Sequence, residues 1–389
     1  MSKQRILRVL KLPNNFCLRT QLTIVLLACV QRKQTVRDMR ATFKNFAVVL
    51  IGCSSTCITN AMVDTSSTLN SPTESSQLPS SLVLQLENDF FVGSDQDYTN
   101  GFRLSYLSSS KTISHDSFLA SDLFCIDATP ALQAQWGVSL SQLMFTPEHK
   151  TDHPLFNEHP YAGLLSLGLG GIVKNEERSN SFELQLGVTG QPSLAHSAQR
   201  RVHSFWGMEQ WPSWRYQIPS EFAFCFNFKR DYRLHSLEST YSDGFATDGY
   251  FYWNADLGTI YVRGGGGINF RFGYNLPNDT PTDMTLAGGN FQTSPFAKTI
   301  PSVTSNWSVY GIMGASIRAV AHDIFLDGTV FHDTPYTVDK FPVVGSWYLG
   351  AGCRYKSLDV IFAFSWQTKE YHNQESLHCV GSAELRWSF

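Results

Sequence analysis

Apolar residues recur at every second position in one segment after another of this chain, and such a period restricts the fold to sheets with one face in an apolar medium. Phe222, Phe224, Phe226 and Phe228 alternate with Glu221, Ala223, Cys225, Asn227 and Lys229, while Phe182, Leu184, Leu186 and Val188 alternate with Ser181, Glu183, Gln185 and Gly187. The pattern returns in Ile268, Phe270, Phe272 and Tyr274 against Asn269, Arg271 and Gly273, then in Val360, Phe362, Phe364 and Trp366 against Asp359, Ala363, Ser365 and Gln367. A soluble sandwich also alternates, because it buries its apolar faces against each other. Segments of about 10 to 13 residues, aromatics near segment ends (Trp307, Trp347, Trp366, Trp387) and the need of a spanning sheet to leave no open edge favour a transmembrane antiparallel β-barrel.

Composition agrees with strands as the spanning element. Of the 389 residues 42% are hydrophobic, yet no stretch after residue 65 holds the roughly 18 consecutive apolar residues of a spanning helix. A net charge of −3 gives no reason to expect the concentrated basic face of a nucleic-acid binder, and no nucleic-acid partner is expected. Thirteen segments read as strands: 82–91, 100–109, 132–145, 161–174, 180–190, 217–232, 245–257, 259–274, 306–320, 322–333, 343–355, 357–368 and 377–389. A single-chain barrel with both ends in the periplasm has an even number. Twelve are therefore expected, the surplus falling between 217 and 274, with a short helix in an extracellular loop. Connections at 146–160, 191–216 and 275–305 have the length of functional loops.

The barrel is expected over 81–389, behind a leader at 1–61 and a flexible Ser/Thr/Pro-rich lead-in at 62–80. From Met39 the chain reads as a signal peptide, with Arg40 and Lys44 before the apolar run Phe46 to Cys53 and the small residues Thr59-Asn60-Ala61 for cleavage. Leu50-Ile51-Gly52-Cys53 is an alternative lipoprotein processing site. Cys125, Cys225, Cys353 and Cys379 lie beyond the leader, too far apart for a zinc site; disulfides and free thiols both remain open. At the other end Ala383, Leu385, Trp387 and Phe389 face opposite to Ser382, Glu384, Arg386 and Ser388. A last strand ending in Phe resembles the signal that hands outer-membrane barrels to their assembly machinery.

Three polar clusters fit neither alternation nor ordinary turns. Glu87-Asn88-Asp89 closes the opening strand and Asp95 to Gly101 begins the next. By parity Asp89 points with Gln85 and Glu87, and Asn88 shares the lipid side with Leu82, Leu84 and Leu86. Carboxylate and amide oxygens there suit a hard cation such as calcium, although Asp and Asn near Gly are also turn formers. In the 191–216 loop Gln199 and His203 are four apart, which in a helix puts them on one face, where a neutral imidazole can take a proton from water, although a lone loop histidine is more often without chemistry. Glu209 and Trp211-Pro212-Ser213-Trp214 follow, with Gln217 beyond; His159-Pro160-Tyr161-Ala162-Gly163 is the third cluster.

Taken in order, Asn88-Asp89, Asp97-Tyr98-Thr99-x-Gly101, Pro160-Tyr161-Ala162-Gly163, Gln199-x-x-x-His203-x-x-x-x-x-Glu209 and Pro212-x-Trp214-x-x-Gln217-Ile218 resemble the lipid A 3'-O-deacylase family of outer-membrane enzymes over residues 82 to 389. The resemblance implies a twelve-stranded monomeric barrel in a Gram-negative outer membrane. It also implies a calcium-dependent esterase that removes the 3'-linked acyloxyacyl chain of lipid A in lipopolysaccharide, at a site between wall and loop helix. By position His203 is the base; Asn88, Asp89, Thr99, Glu209 and Gln199 are the matching polar residues, with Asp89 and Glu209 assigned to Ca2+, and Lys150 is a loose match to a family lysine. Two rivals stay open: a barrel phospholipase, which requires a serine served by the histidine, and a porin or adhesion barrel, which requires no cluster. The enzyme reading requires the His203 loop and Asn88-Asp89 to meet in space.

Overall fold

The structure is a computed structural model that describes residues 78–89, 97–113, 132–241, 243–277, 279, 291 and 306–389. Its long strands are β1 (Ser81–Asn88), β2 (Asp97–Leu107), β3 (Leu132–Thr146), β4 (Ala162–Lys174), β5 (Arg178–Thr189) and β6 (Phe222–Arg233). They continue as β7 (Phe245–Gly258), β8 (Tyr261–Tyr274), β9 (Trp307–Asp323), β10 (Val343–Tyr355), β11 (Leu358–Gln367) and β12 (His378–Ser388). Each pairs antiparallel with the next, and β12 pairs with β1, so the sheet closes as a twelve-stranded barrel with no open edge. Two short pieces, Lys111–Ile113 and Ser239–Thr240, append to β3 and β7. No described helix is long and apolar enough to cross a membrane.

Alternation is realised as expected. Leu82 and Leu86 of β1, Trp136, Val138 and Leu140 of β3, and Leu167 and Leu169 of β4 are exposed on the outside, whereas Gln85, Glu87, Gln135, Ser139, Ser141 and Ser166 are buried on the inside. Trp307 packs at a tilt against Tyr355 at 4.4 Å and Trp387 against Phe389 at 4.9 Å at one end of the wall, as interfacial aromatics do.

The thirteen sequence segments exceed the wall by one, and the surplus is 322–333 rather than a segment between 217 and 274. β6, β7 and β8 all span. The apolar run Ile324-Phe325-Leu326 instead forms the short helix α2 (Ile324–Asp327), capped by Asp323, whose carboxylate accepts from the Phe325 N–H at 3.0 Å. All three residues are buried. Phe325 stacks on Phe145 at 4.2 Å within an apolar cluster that also holds Tyr98, Leu164, Ile218, Ile260 and Tyr261 and fills the lumen near the loop end. A run whose members all point into one core carries no helical or strand period, which is why it imitated a strand.

Below that cluster the lumen is filled by ion pairs. Arg103 binds Glu183 at 2.7 Å, Arg263 binds Asp256 at 2.7 Å, and Arg271 binds Asp248 at 2.6 Å and Asp279 at 2.5 Å. Asp279 and Phe291 belong to the 275–305 connection, which the topology places at the end of the barrel that also holds both chain ends. Phe291 packs on Leu107 and Ile172, and Arg103 lies over its ring at 5.5 Å. The described part of that connection therefore reaches into the lumen, at the end opposite the site described next. Cys225, Cys353 and Cys379 are free thiols. Cys125, the 1–61 leader and the 62–80 lead-in up to residue 77 lie outside the described residues.

Candidate active site

The site begins with one row of residues across the wall. In register, Asn88 of β1 faces Asn100 of β2, Asn100 faces Met144 of β3, and Met144 faces Gly163 of β4. Directly opposed residues of antiparallel strands point to the same face, so this row lies outside. The next outward row is Leu86, Phe102, Gln142 and Leu165, and beyond it Leu84, Leu104, Leu140 and Leu167. The Asn88 row is thus the upper margin of the lipid-facing belt. On its other side Asn88 faces Gly381, which has no side chain to cover it.

A helix, α1 (Ala195–Trp206), sits on this row from outside. The chain leaves β5, turns through Gly190 (φ 68°) and a short 3-10 segment, Gln191–Ser193, and enters α1 through Leu194 in the left-handed region (φ 62°). Gly207 (φ 67°) ends it, as glycine commonly does after a helix. Ala195 and Ala198 pack with Met144, Tyr161, Trp211 and Trp214, and Gln142 Nε2 donates to the Ser193 carbonyl at 2.7 Å. The loop is held to the wall by the Ile218 N–H donating to the Tyr161 carbonyl at 2.9 Å, and to the 147–161 loop by Ser213 Oγ donating to the Thr151 carbonyl at 2.6 Å.

Gly163 makes the close approach of α1 feasible: a Cβ there would stand 2.3 Å from Ser193 Oγ and 2.5 Å from Ala195 Cβ. Gly163→Val is accordingly expected to lift α1 from the wall and lower activity on the order of 10²-fold, the usual cost of a misplacement near 1 Å. The barrel should still fold, which heat-modifiable gel mobility checks; full activity would count against the helix as part of the site.

His203 and Gln199 share the inward face of α1, as their spacing predicts, and both are buried. His203 Nδ1 lies 2.6 Å from the backbone carbonyl of Glu209. A carbonyl can only accept, so Nδ1 carries the proton and Nε2 is the basic nitrogen. Gln199 is oriented by Trp214, whose Nε1–H donates to Oε1 at 2.6 Å. Its Nε2 has no hydrogen-bond partner among the described residues, and so presents a buried donor beside the histidine. His196 stacks on Trp214 at 5.7 Å; burial, with Arg200 next to it, pushes its pKa down.

The remaining site residues lie at the tops of β1 and β2. Asp89 is buried and Asn88 half-buried. In β2 the pairing steps from Tyr98–Phe145 directly to Asn100–Met144, leaving Thr99 as the extra residue of a β-bulge. Bulges re-aim side chains beside functional sites; Thr99 Oγ1 here meets Thr146 Oγ1 at 2.7 Å. Among the described residues no group of three His, Cys, Asp or Glu is arranged to hold a metal. The residue types at the tops of β1 and β2, the Asp89 carboxylate, the Asn88 amide and the Thr99 hydroxyl, offer oxygen donors of the kind a hard cation takes and zinc does not. Glu209 enters through its backbone, holding His203, while its side chain is exposed.

Two lengths bear on whether the two halves meet. Three strand spacings put Asn88 about 14 Å from Gly163 along the row, and eight residues of helix put His203 about 12 Å from Ala195. Sequence reasoning did not foresee Trp214 as the group that orients Gln199, nor the Glu209 carbonyl as the partner of His203. The first had a signal, a tryptophan in a polar loop, whose ring N–H must find an acceptor when buried.

The model of the family described as outer membrane protein LpxR matches residues 50–389. Among solved structures, LpxR from Salmonella typhimurium is 17% identical with a TM-score of 0.61, over 79% of this chain and 100% of that one. The β domain of the Bordetella autotransporter BrkA is 11% identical with a TM-score of 0.41, over 80% of this chain and 99% of that one. No curated protein matches. The Salmonella structure bears on the fold alone, whereas the family match spans all twelve strands and every cluster named above. The chain therefore belongs to the LpxR family of outer membrane proteins and lies in the outer membrane as an integral β-barrel.

Proposed function

We propose that this chain, an outer-membrane lipid A modifying enzyme by family, is a calcium-dependent lipid A 3'-O-deacylase that acts as a monomer. The observation that carries the reading is the locked tautomer of His203 on a helix docked against the upper margin of the lipid-facing belt. An ester held in the outer leaflet reaches that margin laterally, without leaving the membrane. Nε2 of His203 takes a proton from water, the hydroxide adds to the ester carbonyl, and the departing sugar alkoxide recovers the proton from the imidazolium. The Glu209 carbonyl keeps the ring in place through both transfers. Gln199 Nε2 is available to donate to the carbonyl oxygen as charge develops on it.

Asn88, Asp89 and Thr99 would hold the calcium ion, which when bound polarises the ester carbonyl. A porin reading is disfavoured by a lumen crossed by the Arg103–Glu183, Arg263–Asp256 and Arg271–Asp248 pairs. Mass spectrometry of lipid A from cells expressing the protein is expected to show loss of one acyloxyacyl unit. Chelation should abolish that loss, and Asp89→Ala should reproduce the effect of chelation. Unchanged lipid A with folded protein and calcium present would remove the reading.

A further inference from the structure

The exposed side chains of α1 have no counterpart in the chemistry above. Its sequence, Ala-His-Ser-Ala-Gln-Arg-Arg-Val-His-Ser-Phe-Trp, contains two arginines and no acid. Arg200 and Arg201 are both exposed, and neither guanidinium is hydrogen-bonded or ion-paired among the described residues. Phe205 and Trp206 are 81% and 71% exposed and meet edge to face at 5.2 Å, although a helix that served only to roof the site would bury such rings. With 3.6 residues per turn, Phe205, Val202 and Trp206 form one exposed apolar stripe that continues the side of Ala195 and Ala198, Arg201 flanks it next to Phe205, and Arg200 lies on the opposite, polar side. The helix rests on the Met144–Gly163 row, one outward row above Leu86, Phe102 and Leu165. Its outer surface is thus continuous with the lipid-facing belt, at the depth where headgroups begin. Paired cations with neighbouring exposed aromatics are the composition of an interfacial membrane helix.

We propose that α1 docks as an interfacial helix onto phosphorylated glycolipid headgroups of the outer leaflet, Arg200 and Arg201 on its polar side meeting phosphate while Phe205 and Trp206 of the apolar stripe insert among the acyl chains. The proposal rests on the outer-membrane location and not on the deacylase reading. In this arrangement the helix that carries His203 is pinned to the leaflet that holds the ester. Free arginine forks suit phosphate oxygens because a guanidinium can donate two parallel hydrogen bonds.

The test uses the full chain carrying His203→Ala, so turnover does not enter and a failed deacylase reading leaves the outcome intact. Bisphosphorylated lipid A is titrated against this protein and against the same protein with Arg200→Gln and Arg201→Gln. Affinity is expected to fall about 30-fold for the pair, from about fivefold per arginine beside an anionic surface. The difference should vanish with dephosphorylated lipid A and shrink in high salt. In vesicles with brominated acyl chains, Trp206 should account for a quenched part of the fluorescence that Trp206→Phe removes. Equal affinities for the two proteins, or an unquenched Trp206, would overturn the proposal. So would a dimer that Phe205→Ser and Trp206→Ser dissociate, since the face would then serve a second copy of the chain.

Discussion

Replacing His203 with alanine is expected to reduce deacylation of lipid A by about 10² to 10⁴-fold, the usual worth of a positioned general base, while the barrel assembles normally. In the proposed mechanism the imidazole does two things at once: Nε2 serves as the base, and Nδ1–H donates to the Glu209 carbonyl at 2.6 Å. Alanine removes both, so loss of activity alone would leave open a collapse of the 207–211 turn. His203→Asn separates them, because the asparagine amide can still donate to the Glu209 carbonyl but offers no basic nitrogen. Both variants should leave lipid A intact in mass spectra of cells expressing folded protein. An active asparagine variant would mean that His203 only props the loop, and the base would have to be sought elsewhere. Trp214→Phe supplies a graded comparison, since it keeps the ring against Tyr161 and His196 but frees the Gln199 amide that its N–H fixes at 2.6 Å.

What could be read from the sequence divides along a physical line. Period-two alternation depends only on which face meets lipid, so β10 (Val343–Tyr355) coincides with its sequence segment end for end. The outward place of Asn88 beside Leu82 and Leu86 followed from parity alone. The shared face of Gln199 and His203 followed from helical spacing in the same way. Segment 322–333 misled because Ile324, Phe325 and Leu326 are apolar for a different reason: they close the lumen over Phe145. The Thr99 bulge had no signal, since an unpaired strand residue is defined by the register of its neighbour, and β3 had to be in place before Tyr98–Phe145 and Asn100–Met144 could reveal the skip. The Glu209 carbonyl was equally silent, because every residue carries one. Side-chain chemistry nominated Glu209 as a carboxylate, whereas the described hydrogen bond uses its backbone.

The far end of the barrel gives the largest expected effect on stability. Asp279 is buried among Arg271, at 2.5 Å, Arg386, at 3.1 Å, and Arg354, three cations from three different strands. Arg271 also donates to the Pro277 and Asp279 carbonyls at 2.9 and 2.7 Å. Burial alone would raise the Asp279 pKa, but Arg354, Arg271 and Arg386 outweigh it and hold the carboxyl well below the ordinary carboxylate range. A depressed carboxylate adds stability that is present above its unfolded pKa and disappears as pH falls through the folded value. Asp279→Ala removes the anion and leaves buried guanidiniums short of one partner, a change that costs roughly 3 to 5 kcal/mol where no compensation follows. Asp248 still serves Arg271, and Asp359 and Glu384 still serve Arg354 and Arg386, so a loss near 3 kcal/mol is expected at neutral pH. Urea unfolding of the detergent-solubilised barrel should show it as a lowered midpoint. The difference from wild type should narrow in strong acid, where both proteins lack the charge. Deacylation per folded molecule should stay unchanged, because Asp279 anchors the end opposite Asn88 and His203. A midpoint equal to that of the wild type would show the arginines to be satisfied by their remaining partners. Activity lost together with stability would instead show that the wall transmits strain from this anchor to the row on which α1 sits.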